Sequence, residues 1–88
     1  MQKKITTDIH EIFKDKDFIL ACKKIFEEGK ASTALLQRQF GWGYAKAAAY
    51  LEFMAEFGYV SLDISNRKVL ATLDVFKEDA KENFYLDV

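Results

Sequence analysis

Between residues 17 and 57 the apolar positions of the chain fall three or four apart, and beyond residue 58 they begin to alternate. Phe18, Ala21, Cys22, Ile25 and Phe26 share one face of a helix running from about Asp17 to Glu28. Asp15 or Asp17 can cap its start, and Gly29 can stop it in a left-handed conformation. Ser32 is placed to cap a short second helix, Thr33 to Gln39, with Leu35, Leu36 and Phe40 facing inward. Gly41-Trp42-Gly43 then makes a tight connection, because two glycines so close together permit positive φ. From Tyr44 to Phe57 nothing breaks a helix, and three consecutive alanines favour one. Ala47, Ala48, Leu51 and Met54 form its inward stripe, and Gly58 ends it.

The change of period marks a hairpin. Tyr59-Val60-Ser61-Leu62 and Lys68 to Leu73 read as strands around the turn Asp63-Ile64-Ser65-Asn66. Asp74 can cap a last helix, Val75 to about Asn83, in which Val75, Phe76 and Ala80 are available for packing. Ahead of the first clear helix, Thr7 or Asp8 can cap a short helix through Ile9, Ile12 and Phe13. Helix, short helix, tight turn, longer helix and hairpin is the order of a winged helix-turn-helix, and any other small α+β domain is the plainer alternative. The expected fold is therefore α+β and mostly helical: three helices plus a β-hairpin wing, with a C-terminal helix. The expected organisation is a single self-contained domain over 1–88, made of an extension (1–14), a winged-helix core (15–73) and an acidic helix (74–88).

Composition narrows the function without naming it. Half the residues are apolar and eight are Phe, so large side chains are available for a core in only 88 residues. A single cysteine, Cys22, excludes an intrachain disulfide framework and fits a reducing compartment. No apolar run approaches a membrane span and the start has no signal-peptide core, so a cytoplasmic protein with no membrane partner is expected. The net charge of −1 is concentrated at one end. Residues 1–30 carry seven Lys against six acids, residues 31–73 four basic against three acidic groups, and residues 74–88 two Lys against five acids. The central part is close to neutral, which neither demands nor forbids DNA.

From Gly29 onward the chain resembles the γ domain of the FtsK family of DNA translocases. The residues that carry the resemblance are Gly29-Lys30-Ala31-Ser32, Leu35-Leu36-Gln37-Arg38-Gln39-Phe40 and Gly43-Tyr44. They continue through Lys46-Ala47-Ala48, Leu51, Met54, Gly58, Val60-Ser61 and Arg67-Lys68-Val69-Leu70. The resemblance implies a winged-helix fold that reads short, oriented, G-rich sequences on duplex DNA. In full translocases it also implies contact with a Xer recombinase. The motor is missing, since no Gly-x-x-x-x-Gly-Lys-Ser/Thr loop occurs. Where the family's recognition helix has polar or basic side chains, this chain has Ala45 and Ala49, and Gly41 replaces a usually basic residue. Lys46 keeps the family's positive charge and Glu52 its acidic character. Direct readout needs side chains that hydrogen-bond base edges, and alanine reaches no further than a thymine methyl.

Two sets of site residues follow. Lys30, Gln37, Arg38 and Lys46 at the helix-turn-helix, Arg67 and Lys68 at the wing, and Glu52 between them are the candidates for a DNA contact. The plainer alternative is an ordinary solvated basic face. Trp42, Ala45, Ala49 and Phe53 form a second, apolar candidate face suited to a protein partner or a second copy, unless Phe53 packs against the wing or the last helix. His10 has no second ligand at metal spacing, and no acid pair suggests general acid and base roles. No enzyme activity, cofactor, metal or small-molecule substrate is expected. The tail acids Glu78, Asp79, Glu82 and Asp87 read as a solvated helix face, or alternatively as a mask over the basic surface.

Overall fold

Asp15 starts the ordered helical part of the domain. Its backbone is extended, and its carboxylate Oδ1 accepts the amide of Asp17 at 2.9 Å and that of Phe18 at 3.4 Å. Two of the orphan donors of helix α1 (Lys16–Glu28) are thereby satisfied. In the computed structural model, which describes residues 9–63 and 67–84, a 3-10 segment (Ile9–Lys14) precedes α1. It is followed by α2 (Thr33–Phe40), α3 (Tyr44–Glu56) and α4 (Leu73–Phe84). Thr7 and Asp8 as caps, the turn residues 64–66 and the tail beyond residue 84 lie outside the described residues.

The expected punctuation is found at the first two helix ends. Gly29 closes α1 with φ of 71° and donates its amide to the Ile25 carbonyl. Ser32 Oγ accepts the Leu35 amide at 3.1 Å and starts α2. Gly41 closes α2 with φ of 73°, a left-handed conformation strained for any residue with a Cβ. Gly43, expected to share that role, is instead extended at φ of −72°, so of the two glycines Gly41 alone takes the left-handed turn between α2 and α3, the pair of elements in most extensive contact.

The core is aromatic. Phe13, Phe18, Ile25, Leu36, Leu51, Met54, Tyr59, Val60 and Phe76 are all essentially buried. Phe13 sits with its ring centroid 4.9 Å from Phe57, 5.7 Å from Phe18 and 6.2 Å from Phe76, so the 3-10 segment, α1, the end of α3 and α4 meet on one side chain. The pattern assigns Phe13 to an extension; the structure makes it part of the core. A lone turn of apolar residues carries too little periodicity to announce that, and burial of the ring is worth about 1.5–3 kcal/mol.

The wing departs most from expectation. Among the described residues no strand is formed, only a single antiparallel bridge between Val60 and Val69. The Leu70 amide donates to the Tyr59 carbonyl at 2.8 Å and the Ser61 amide to the Lys68 carbonyl at 2.9 Å. A regular ladder would return the Lys68 amide to the Ser61 carbonyl. Instead Ser61 Oγ accepts that amide at 2.9 Å, while the Ser61 carbonyl accepts from Arg67 Nη1 at 2.7 Å. Side-chain hydrogen bonds have displaced the rung that would have extended the hairpin. At the far end the expected strand stops early. Thr72, not Asp74, caps α4, accepting the Val75 amide at 3.3 Å on Oγ1, and Leu73 is already helical. Val75, expected to pack, is 47% exposed, whereas Phe76 and Ala80 are buried.

The contribution of the 3-10 segment is testable by urea denaturation. Phe13→Ala is expected to lower the unfolding free energy by about 3–5 kcal/mol. Leu62→Ala, at a side chain 75% exposed, should change it by less than about 0.5 kcal/mol. Equal effects would show that Phe13 is not part of the core.

Candidate nucleic-acid interface

The outward face of α3 is set by what its inward face buries. Ala47, Tyr50, Leu51, Met54 and Ala55 go into the core, which leaves Tyr44, Ala45, Lys46, Ala49, Glu52 and Glu56 exposed. The Tyr44 ring, at the first turn, is 64% exposed. Gly43 precedes it as an N-cap with no side chain to offer.

Of the cations expected at this surface, Lys30, Arg38 and Lys68 are exposed, Lys30 ahead of α2, Arg38 in its last turn and Lys68 on the wing. Gln37 is half-buried on α2. Lys46 and Arg67 are placed differently from free cations. Lys46 Nζ donates to Asp17 Oδ2 at 2.6 Å and stands 4.8 Å over the Trp42 ring, binding the start of α3 to α1. The Arg67 side chain is only 7% exposed: Nη2 meets Glu52 Oε2 at 2.6 Å while Nη1 holds the Ser61 carbonyl. Thus two residues expected to face DNA separately, Glu52 and Arg67, bind each other and join the wing, beside its turn, to α3.

The apolar face expected from Trp42, Ala45, Ala49 and Phe53 does not assemble as a continuous exposed patch. Trp42 is half-buried and stacks on Phe40, centroids 4.5 Å apart and planes 20° from parallel, with Tyr50 5.3 Å away edge-on. Phe53 is half-buried and meets Phe18 of α1 at 6.3 Å, a packing partner on neither the wing nor the last helix. Only Ala45 and Ala49 of the four are exposed. The exposed large apolar residues lie elsewhere, at Leu20, Tyr44, Leu62, Leu70 and Val75.

Several residues that hold this surface in place carry no local signal. Asp15, already the cap of α1, accepts the Tyr50 hydroxyl on Oδ2 at 2.7 Å. Asp79, expected on a solvated face, accepts the Tyr59 hydroxyl at 2.5 Å. The partners are 35 and 20 residues apart, beyond any spacing rule. Burial, followed by the carboxylate bond, raises both phenols well above the ordinary tyrosine value. Burial also pushes the Cys22 thiol up, consistent with an inert core cysteine. Among the described residues no group of His, Cys, Asp or Glu is arranged to hold a metal, and no helix is long and apolar enough to cross a membrane.

Two helices joined across Gly41-Trp42-Gly43, the second followed by a hairpin closed at a single bridge, give the helical frame of a winged helix-turn-helix with a reduced wing. Residues 13–72, about two-thirds of the chain, match the family model described as the Ftsk gamma domain, and the chain belongs to that family. No curated protein matches the chain.

The raised phenols fix the alkaline behaviour. Each keeps its proton in the folded state after the unfolded chain, near pH 10, has begun to lose it. The stability they contribute is therefore complete below about pH 10 and falls as pH rises through the folded values. Chemical denaturation of Tyr59→Phe between about pH 9 and 12 is expected to show a shallower fall than the parent. Parallel curves would show that the Tyr59 hydroxyl plays no part in the alkaline fall.

Proposed function

We propose that this protein binds duplex DNA by laying α3 in the major groove with the wing against the adjacent backbone. The observation that carries the reading is the family match across a helix-turn-helix whose α3 leaves Tyr44, Ala45, Ala49 and Glu56 exposed along its outer face. Lys30, Arg38 and Lys68 are the phosphate contacts, one at each end of α2 and one on the wing, and Gln37 is a secondary polar contact. Lys46 contributes only while shared with Asp17. With few free cations and two acids, Glu52 and Glu56, on the exposed side of α3, the affinity is modest. Sequence preference is weak or altered, because Ala45 and Ala49 offer no hydrogen bond to a base edge. The protein-interaction reading is weaker, since Trp42 and Phe53, its two large anchors, are engaged inside the domain.

Fluorescence anisotropy of a labelled G-rich duplex and of a scrambled one, at about 50 and 200 mM salt, tests this. Binding that weakens steeply with salt and differs little between duplexes is expected. Replacing Lys30, Arg38 and Lys68 together by Ala should weaken binding on both duplexes and flatten the salt dependence by roughly 0.9 for each phosphate no longer neutralised. Failure of the parent protein to bind at the lower salt would overturn the proposal.

A further inference from the structure

The Glu52–Arg67 pair stands where a DNA contact was expected, yet both partners are turned to each other. Arg67 leaves the wing to reach Glu52 on α3, and its second nitrogen takes the Ser61 carbonyl that a longer hairpin would have used. A guanidinium so little exposed depends on those two acceptors, since releasing it uncompensated is costly. Among the described residues the backbone of the wing is closed by one bridge, made of two hydrogen bonds. Its base is held by the buried Tyr59 and Val60 and by the Tyr59 amide on the Met54 carbonyl, whereas beside the turn the Glu52–Arg67 pair is the side-chain tie to α3.

We infer that Arg67 and Glu52 are positioning residues for DNA binding: their ion pair fixes the wing relative to the recognition helix, and neither contacts DNA. This rests on the DNA-binding reading above and deepens it. Lys68, next in the chain to the anchored Arg67, is carried by the wing to a fixed distance from α3, so a single register with adjacent phosphates is selected. Without the pair the wing beside its turn loses its side-chain tie to α3, and Lys68 finds its phosphate only part of the time.

The inference predicts a sign that simple electrostatics reverses. Removing an acid from a DNA-facing surface should strengthen binding on charge grounds alone. Here Glu52→Gln is expected to weaken it, about three- to tenfold, the worth of one charge-assisted hydrogen bond. Arg67→Ala should weaken it similarly while lowering the salt slope by much less than the roughly 0.9 expected on removal of a residue that neutralises a phosphate, because Lys68 keeps its contact part of the time. The double variant should be no worse than the weaker single one, because both remove the same interaction.

Hydrogen exchange supplies a readout independent of DNA. The Ser61 and Leu70 amides, bonded within the wing, should exchange faster in both single variants, while the amides of α1 and α2 keep their parent rates. Tighter binding by Glu52→Gln, a salt slope lowered by the full amount of roughly 0.9 in Arg67→Ala, or unchanged exchange at Ser61 and Leu70 would each overturn the inference. If the parent protein binds no duplex at low salt, the DNA-binding reading falls and the positioning role falls with it. Faster wing exchange in the variants would then still identify the pair as the wing's anchor.

Discussion

Helix α3 has to bury one side in an aromatic core and hold the other clear for a partner, yet its own sequence says little about which way it turns. Ala45, Ala47, Ala48, Ala49 and Ala55 surround it with small groups, and a helix that is apolar on most sides can rotate at little cost in buried area. What fixes the rotation is polar. The Tyr50 hydroxyl is tied to Asp15, Lys46 to Asp17 and Glu52 to Arg67, bonds that leave the helix toward α1 on one side and the wing on the other. Rotating α3 by one residue, about 100°, breaks all three. Each exposed pair alone is worth little, on the order of 0–1 kcal/mol. Acting together on one rigid helix, they select a single orientation among several of similar hydrophobic energy.

That economy explains the disagreement between residue type and role at the surface. Charged residues at a helix-turn-helix read as DNA contacts because such contacts need charge, but a domain this small must also hold itself together with the charges it has. Lys46 and Arg67 are drawn into internal pairs, and the cations left exposed, Lys30, Arg38 and Lys68, lie around α3 and not on it. The outer face of α3 is then made of small groups and carboxylates. Such a face offers few groups able to hydrogen-bond a base edge.

The fold was legible wherever its cause was local. Asp15, Gly29, Ser32 and Gly41 each end or begin a helix through their own backbone or side chain, and each does so in the structure. The core stripe of α3 was legible in part: Ala47, Leu51 and Met54 are buried as their spacing predicts, while Ala48 is only half-buried and Tyr50 and Ala55 join the core instead. Legibility failed where two local preferences competed. Alternation at 59–62 and 68–73 favours strands, but the Ser61 hydroxyl and the Arg67 guanidinium take the groups that would have made the next rung, and the Thr72 cap begins α4 before the strand can finish. It failed again where a residue's partner is remote. Nothing near Asp79 indicates Tyr59, and nothing near Phe53 distinguishes Phe18 from a partner protein.

The same logic separates what a substitution does to the fold from what it does to binding. Ala45 and Ala49 are exposed and take part in none of the three polar ties. Glu52 and Arg67 are the opposite case, since altering either changes the fit between wing and helix even if the domain remains folded. Exposed small residues and the tie to the wing thus lie on successive turns of α3: Ala45 and Ala49 are uncommitted within the domain, whereas Glu52 is committed to Arg67.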